Sequence, residues 1–272
     1  MPEGPEIHRE ADKIRQAISG KPATYLYFYH DHLKPFEKEL SELTVQSVEA
    51  YGKGLVIEFE NDFWFFSHNQ LYGKWYIKPA GQYPKTNREL RAVIQNHNHS
   101  ALLYSASEID IMDGESIQEH PYLSNLGPDI LKPIEPEEIK DRLVSNTFKR
   151  RSFAALFLDQ SFLSGIGNYL RSEILFDASI DPRKRPKDLA KNQLLKLAKS
   201  AITISHRSYQ TGGITADDEY VKRKKSNGAR RKEYRHYVFA RAGKPCPTCG
   251  KAVKKEKISG RRLYYCSHCQ KN

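Results

Sequence analysis

Cysteine is scarce, with four residues in a chain of 272, and none of the four stands alone. They fall into two pairs near the end, Cys246-Pro-Thr-Cys249 and Cys266-Ser-His-Cys269, with sixteen residues between the pairs. Disulfides are disfavoured, because the charged start through Glu3, Glu6, His8, Arg9 and Glu10 lacks the apolar stretch of a secretory signal. A thioredoxin-like redox pair is disfavoured as well, since neither pair sits in a βαβ pattern. No apolar run approaches the roughly 20 residues that cross a bilayer, so a cytoplasmic protein without a membrane partner is expected. No internal repeat is visible, which sets aside repeat architectures. Acidic residues are nearly missing from the last 51 positions, where 17 Lys or Arg face only Glu233 and Glu256. That piece carries +15 of a total of +11, which leaves the first 221 residues at −4. A basic end behind a near-neutral body is the electrostatic footprint of a polyanion partner, nucleic acid first. A solvated tail or a membrane-surface patch fits less well, given the Cys pairs and the lack of an amphipathic lipid-binding helix.

What is present is a chain that is 39% hydrophobic, enough for two domains with cores of their own. Ile7, Ala11, Ile14 and Ile18 recur at helical spacing behind Gly4-Pro5, where proline suits the first helical position, and Ser19-Gly20 closes that helix. Strand-like runs follow at residues 23–29, 45–50, 55–59, 63–67, 75–78, 90–95 and 102–105, a pattern that predicts a β-sandwich over residues 1–115. Residues 116–134, with Pro121, Gly127-Pro128 and Pro133, read as a linker. Helices are predicted at about 135–144, 153–158, 168–178 and 189–205, within a helical domain spanning 135–235 whose end, from Thr211 through the charged run 222–235, reads as a mobile loop. Residues 236–272 hold the Cys pairs at the spacing of a four-cysteine zinc ribbon, in which Cys246, Cys249, Cys266 and Cys269 hold one structural zinc ion. The fold class is therefore α+β.

Several positions carry chemistry. Pro2 becomes a free secondary amine if Met1 is trimmed, with a reference pKa of about 7.7 to 8.0 that leaves a useful neutral fraction. Such an amine can attack a carbonyl-like carbon to give an iminium, with Glu3 beside it to move protons. Many proteins begin Met-Pro-Glu without using it so; the helix that follows is what would hold this terminus in place. Tyr51-Gly52-Lys53-Gly54 is a turn presenting Lys53, either to a ligand or only to solvent. The loop after Phe63-Trp-Phe-Phe66 offers Gln70, Leu71 and Tyr72, a wedge for a vacated base stack or simple hairpin packing. Asn168 opens a helix behind the glycine-bearing joint 160–167, either as an ordinary N-cap or at an anion site made by the helix N-terminus. Between the Cys pairs, Ser259-Gly260 reads as a hairpin turn presenting Arg261 and Arg262, a phosphate-binding arrangement.

These elements in this order resemble the formamidopyrimidine-DNA glycosylase/endonuclease VIII family, most closely its bacterial endonuclease VIII branch. The resemblance covers essentially the whole chain and rests on Met1-Pro-Glu-Gly-Pro-Glu-Ile7, Ser67-His-Asn-Gln-Leu-Tyr-Gly73, Leu103-Tyr-Ser-Ala-Ser107, Leu158-Asp-Gln-Ser-Phe-Leu-Ser-Gly-Ile-Gly-Asn-Tyr-Leu-Arg171 and the ribbon. It implies an N-terminal β-sandwich with a leading helix, then a helix-two-turn-helix domain and the zinc ribbon. It also implies a monomeric base-excision-repair enzyme, nucleoid-associated through DNA binding, that acts on double-stranded DNA containing oxidised bases or abasic sites. In that reading the Pro2 amine attacks C1′ of an extruded nucleotide, the base leaves, and β,δ-elimination cuts the strand. Glu3 matches the general acid, Lys53 the lysine linked to β-elimination, and Arg261, with Arg262 adjacent, the ribbon-turn arginine of δ-elimination. Asn168 matches a phosphate ligand, and Gln70, Leu71 and Tyr72 the void-filling wedge. Two departures are visible. Asn125-Leu126 stand where some members carry a basic DNA contact, and the basic run 222–235 is longer than the family pattern. The loop 70–72 favours oxidised pyrimidines; the alternatives are an enzyme for oxidised purines such as 8-oxoguanine, or a non-catalytic zinc protein that binds damaged DNA.

Overall fold

The computed structural model describes every residue except Met1, Ser259 and Asn272. The chain divides into two compact units: residues 6–125 with Met1–Pro2, and residues 126–272 with Glu3–Pro5. The division at Asn125 and Leu126 falls inside the stretch read as a linker.

In the first unit, helix α1 (Gly4–Ile18) buries Ile7, Ala11, Ile14 and Ile18, the face its spacing predicted. Eight strands follow: β1 (Tyr25–Phe28), then, after the short α2 (Pro35–Glu39), β2 (Val45–Tyr51), β3 (Gly54–Phe59), β4 (Phe63–His68), β5 (Lys74–Pro79), β6 (Leu90–Gln95), β7 (His99–Tyr104) and β8 (Glu108–Asp113). They form two antiparallel four-stranded sheets, ordered β2-β3-β4-β8 and β1-β6-β7-β5. Phe28, Trp75, Ile94 and Leu103 of one sheet share a core with Ile57, Phe59 and Phe65 of the other and with the buried face of α1. Strand β8 was not expected. Its acidic positions Glu108, Asp110 and Asp113 are poor strand formers, and pairing with β4 overrides that preference. The short α3 (Ser116–Glu119) stands in the segment read as linker.

The second unit is built on α4 (Pro136–Val144), α5 (Phe153–Leu156), α6 (Asn168–Asp177) and α7 (Lys191–Gln210). Helix α7 packs on α4 and α6 through Leu194, Leu197, Ala198, Ala201 and Ile204. The joint between α5 and α6 is cross-braced: Arg142 donates to Phe162 O and Ser161 O, and Gln160 ties Leu158 O, Ile166 O and the Gly165 N–H. The run 222–235, expected as a loop, is largely helical, in α8 (Asp218–Ser226) and α9 (Arg231–Tyr234). The physical reason is visible in α8. Asp217 caps its start by accepting from Tyr220 N, Asp218 and Glu219 sit at the positive end of the dipole, and Arg223, Lys224 and Lys225 at the negative end. Tyr220, Val221 and Tyr234 bury themselves with Ile214 and Ala216. The ribbon follows as an antiparallel pair, β9 (Lys254–Ile258) and β10 (Arg261–Tyr265). Of the hairpin turn read at Ser259-Gly260, Ser259 lies outside the described residues.

Candidate catalytic and nucleic-acid site

The N-terminus of α6 gathers most of the candidate residues of the second unit. Glu3 is 3% exposed and its carboxylate accepts the backbone N–H groups of Gly167 (2.9 Å), Tyr169 (2.8 Å) and Leu170 (3.1 Å). These are the donors a helix start leaves without an intrahelical partner, and the dipole favours the negative charge placed there. The approach is close enough that a Cβ at Gly167 would lie 2.4 Å from Glu3 Cδ, so only glycine fits. Gly165, at φ +91°, shapes the joint so that its carbonyl accepts from Gly4 N at 2.7 Å. Gly4, which groups with the second unit, is thereby tied to the joint, and Pro2 is the covalent neighbour of Glu3.

Asn168 is the first residue of α6, and the N-cap position falls on Gly167. The reading of Asn168 as an ordinary N-cap is therefore set aside: a carboxylate from the start of the chain does the capping. Asn168 Oδ1 accepts from Arg171 Nη2 at 3.3 Å. Arg171, fully buried, also donates to Ala154 O and, at 2.9 Å, to Arg262 O. Burial lowers its pKa to about 10, with the Glu3 charge opposing that shift and the Arg261 charge adding to it. A buried guanidinium thus bolts the arginine strand of the ribbon to the helix that carries Asn168. Arg261 and Arg262 themselves remain exposed.

The first unit holds the other candidates. Lys53 sits in the β2–β3 turn, where its N–H donates to Tyr122 Oη at 2.8 Å. Neighbouring His68, whose strand partner is Gly54, is held below its usual pKa mainly by burial; Glu108 pulls it up and Lys53 pushes it down. The β4–β5 loop is tight and pinned. Gly73 N donates to Asn69 O at 2.7 Å, Gln70 Nε2 donates to Glu108 at 3.0 Å, and Ser107 Oγ donates to Gln70 Oε1 at 3.0 Å. Gln70 adopts φ +45°, a strained value for a non-glycine residue. Leu71 and Tyr72 are left 60% and 70% exposed, two large apolar side chains on a braced tip.

In the ribbon all four Cys Sγ atoms lie within 4.8 Å of one another, with Cys246 to Cys269 at 3.8 Å and Cys249 to Cys266 at 3.5 Å. Tetrahedral zinc with Zn–S bonds near 2.3 Å requires S···S separations of about 3.8 Å, so the thiolates fit the ion and leave no coordination position for water.

Three family models match the chain: the formamidopyrimidine-DNA glycosylase N-terminal domain over residues 1–107, the formamidopyrimidine-DNA glycosylase H2TH domain over 126–219, and a zinc finger found in FPG and IleRS over 243–272. The chain belongs to the formamidopyrimidine-DNA glycosylase/endonuclease VIII family. It is 44% identical to Endonuclease 8 of Escherichia coli (strain K12 / DH10B) over 99% of this chain and 100% of that protein. Against Endonuclease 8 of Salmonella agona (strain SL483) the identity is 43%, over 100% of both chains. Among solved structures, Lactococcus lactis Fpg in complex with DNA containing an N7-benzyl-Fapy-dG matches with a TM-score of 0.80 at 20% identity, over 100% of both chains. A complex of the same protein with DNA containing an oxidised pyrimidine matches at 0.81 and 21%, again over 100% of both. The family's ribbon and its fitting thiolates establish one structural zinc ion per chain. No helix among the described residues is long and apolar enough to cross a membrane.

Two residues escaped the sequence reading. Arg171 sits at the end of the motif quoted for the resemblance, but nothing in its local context distinguishes a buried clamp from a surface arginine on an amphipathic helix. Glu173, fully buried two residues on, accepts the N–H groups of Tyr237, Val238 and Phe239 and the Thr215 hydroxyl, anchoring the lead-in to the ribbon. For Glu173 the available signal was its place directly before the apolar run Ile174-Leu175-Phe176.

Proposed function

We propose that this enzyme removes oxidised pyrimidines from duplex DNA, with the Pro2 amine as nucleophile, and works in the bacterial cytoplasm on nucleoid DNA. As a family member the chain is a DNA glycosylase with abasic-site lyase activity that acts on oxidised bases. In the proposed sequence Pro2 nitrogen, freed by loss of Met1, bonds to C1′ while the C1′–base bond breaks and the base departs with a proton. Glu3 serves that proton transfer and the opening of the sugar ring. The resulting iminium acidifies C2′; loss of that proton expels the 3′ phosphate, and a second elimination expels the 5′ phosphate. Lys53 assists the first elimination and Arg261 the second, with Asn168 holding a phosphate and Gln70, Leu71 and Tyr72 filling the emptied stack.

One observation carries this reading: Glu3, Asn168 and the Arg261-bearing strand meet at the N-terminus of one helix, where the family's chemistry needs a carboxylate beside phosphate ligands. The pyrimidine preference is supported by the braced tip at Leu71 and Tyr72, and by relatives at 42–44% identity over their whole length that bear the name Endonuclease 8. Single-turnover excision from matched duplexes tests it. Thymine glycol or 5-hydroxycytosine should be released at least about tenfold faster than 8-oxoguanine opposite cytosine, a difference of about 1.4 kcal/mol in barrier. Faster release of 8-oxoguanine would move the assignment to the oxidised-purine branch, and release of neither base would favour a non-catalytic binder.

A further inference from the structure

The basic run 222–235 has no task in the chemistry above, yet it forms one wall of a defined cleft. Helix α8 and its C-cap contribute Tyr220, Arg223, Lys224 and Asn227, and the opposite wall is Arg241 with the ribbon knuckle 245–247. The cleft has a volume of about 260 Å³, and no carboxylate is among the residues that line it. Asp217 and Glu173, whose charges bear on Tyr220, and nearby Glu233 are all engaged: Glu233 accepts from Arg230 N, Asp217 from Tyr220 N and the Tyr237 hydroxyl, and Glu173 from the N–H groups of Tyr237, Val238 and Phe239 and the Thr215 hydroxyl.

Two donors on the walls are not engaged. Tyr220 is 5% exposed, and its hydroxyl is buried with no hydrogen-bond partner. Arg241 Nε is likewise buried and unpartnered, although its Nη1 donates to Glu233 O at 2.9 Å and its Nη2 to Pro245 O at 3.0 Å. Those two bonds fix the guanidinium in place. Arg223 and Lys224 both lie over the Tyr220 ring, at 5.7 and 5.6 Å from its centroid. Buried donors normally find acceptors in the fold, so two unpartnered donors beside three cations, in a cleft lined by no carboxylate, point to a ligand that brings oxygens and negative charge. The C-terminal dipole of α8 opposes an anion, but a partial charge of about half a unit is set against three full positive charges.

We propose that this cleft is a second phosphate-binding site, distinct from the one at the start of α6, which takes a backbone phosphate of nucleic acid. Tyr220 Oη and Arg241 Nε donate to phosphate oxygens, while Arg223 and Lys224 supply charge. Nucleic acid is favoured over free phosphate because the cleft lies within the stretch that carries +15. That preference rests on the DNA-binding reading, whereas the anion site does not.

The test uses the full zinc-loaded chain and three variants: Tyr220→Phe, which removes only the open hydroxyl; Arg223→Ala; and Lys222→Ala, which removes a charge from an exposed position of α8 outside the cleft. Affinity for an undamaged duplex is measured across salt concentrations, and thermal stabilisation by inorganic phosphate is measured against chloride at equal ionic strength. Arg223→Ala should weaken duplex binding about tenfold at low salt and reduce the salt slope by about one, and Tyr220→Phe should weaken it about threefold with no change in charge. Lys222→Ala should change it less than about twofold. If Tyr220→Phe and Arg223→Ala abolish phosphate stabilisation but leave duplex affinity intact, the site stands and its ligand is free phosphate. If Tyr220→Phe matches the parent in both measurements, or Arg223→Ala matches Lys222→Ala in both, the site is refuted. Because the duplex is undamaged and no turnover is read, failure here leaves the catalytic assignment untouched.

Discussion

A carboxylate at position 3 accepts hydrogen bonds from three peptide N–H groups 164 to 167 residues further along the chain. Glu3 caps α6 and, in the proposed mechanism, also serves the Pro2 chemistry, so a substitution there reports on both. Glu3→Gln keeps the shape but offers one acceptor oxygen in place of two and turns an NH2 group toward peptide N–H donors. Excision of damaged bases should fall by more than about 100-fold, within the span general acid catalysis supplies, and thermal stability should drop as charge-assisted bonds worth about 1.5–3 kcal/mol each are weakened. Cleavage of preformed abasic DNA should survive better than excision, because there the base has already left. Excision at the parental rate, measured in single turnover alongside the melting temperature, would remove Glu3 from the chemistry. A second carboxylate has a pH signature. Burial pushes Glu10 up to about 7, against the bond it accepts at 2.6 Å from Nδ2 of Asn69, at the start of the β4–β5 loop. With a folded pKa above the ordinary 4.5, the unfolded chain ionises first as pH rises. The stability contributed by the protonated form is thus full below about 4.5 and falls by up to about 1.4 kcal/mol per unit until pH 7. Glu10→Gln should remove that slope and be the more stable protein at pH 8, since its amide can also donate to Asn69 Oδ1, which is buried and unpartnered. Denaturant titrations at pH 5 and 8 check this; parallel behaviour of the two proteins would show that Glu10 ionises freely.

At the scale of elements, legibility followed how local the causes were. Helix α1 was readable because four apolar residues repeat on one face, and the ribbon because two Cys-x-x-Cys pairs have few other uses. The joint before α6 was readable as a glycine-bearing motif. Strand β8 was not, because its acids hide a strand that exists only through pairing with β4. Helices α8 and α9 were not, because a run of lysine and arginine reads as solvated chain until Tyr220, Val221 and Tyr234 are seen to be buried. Of the candidate residues, Lys53, Leu71 and Tyr72 stand on exposed or half-exposed turns that sequence alone can place. The cap supplied by Glu3 and the Arg171 clamp join parts of the chain far apart in sequence, and no local pattern encodes them. The ribbon's dependence on metal belongs to this scale too. Purified protein should contain one zinc per chain, and its removal should unfold the β9–β10 pair, free Arg262 from Arg171 and cut strand-cleaving activity by more than about tenfold, since a thiolate site replaces a hydrophobic core here. Full activity in protein shown by metal analysis to be zinc-free would contradict a structural role.

For the whole molecule, charge and chemistry divide along the chain. The first 221 residues are net negative and contain Pro2, Glu3 and Lys53, while the last 51 carry the net positive excess of +15 and the ribbon arginines. A basic end of this kind speeds encounter with DNA and raises affinity, but it cannot by itself break a glycosidic bond. In the proposed mechanism that task rests on a single nitrogen that must be an amine. With Met1 retained, the Pro2 nitrogen would be an amide whose lone pair is delocalised into the carbonyl, and it could not attack. The most direct measurement is therefore borohydride trapping on abasic or lesion-bearing duplex DNA, with mass spectrometry of the cross-linked peptide. The expected product is an adduct on the nitrogen of Pro2 in protein that starts at Pro2, and none in protein that retains Met1. An adduct mapped to Lys53, or equal trapping with Met1 in place, would contradict the assignment of the nucleophile.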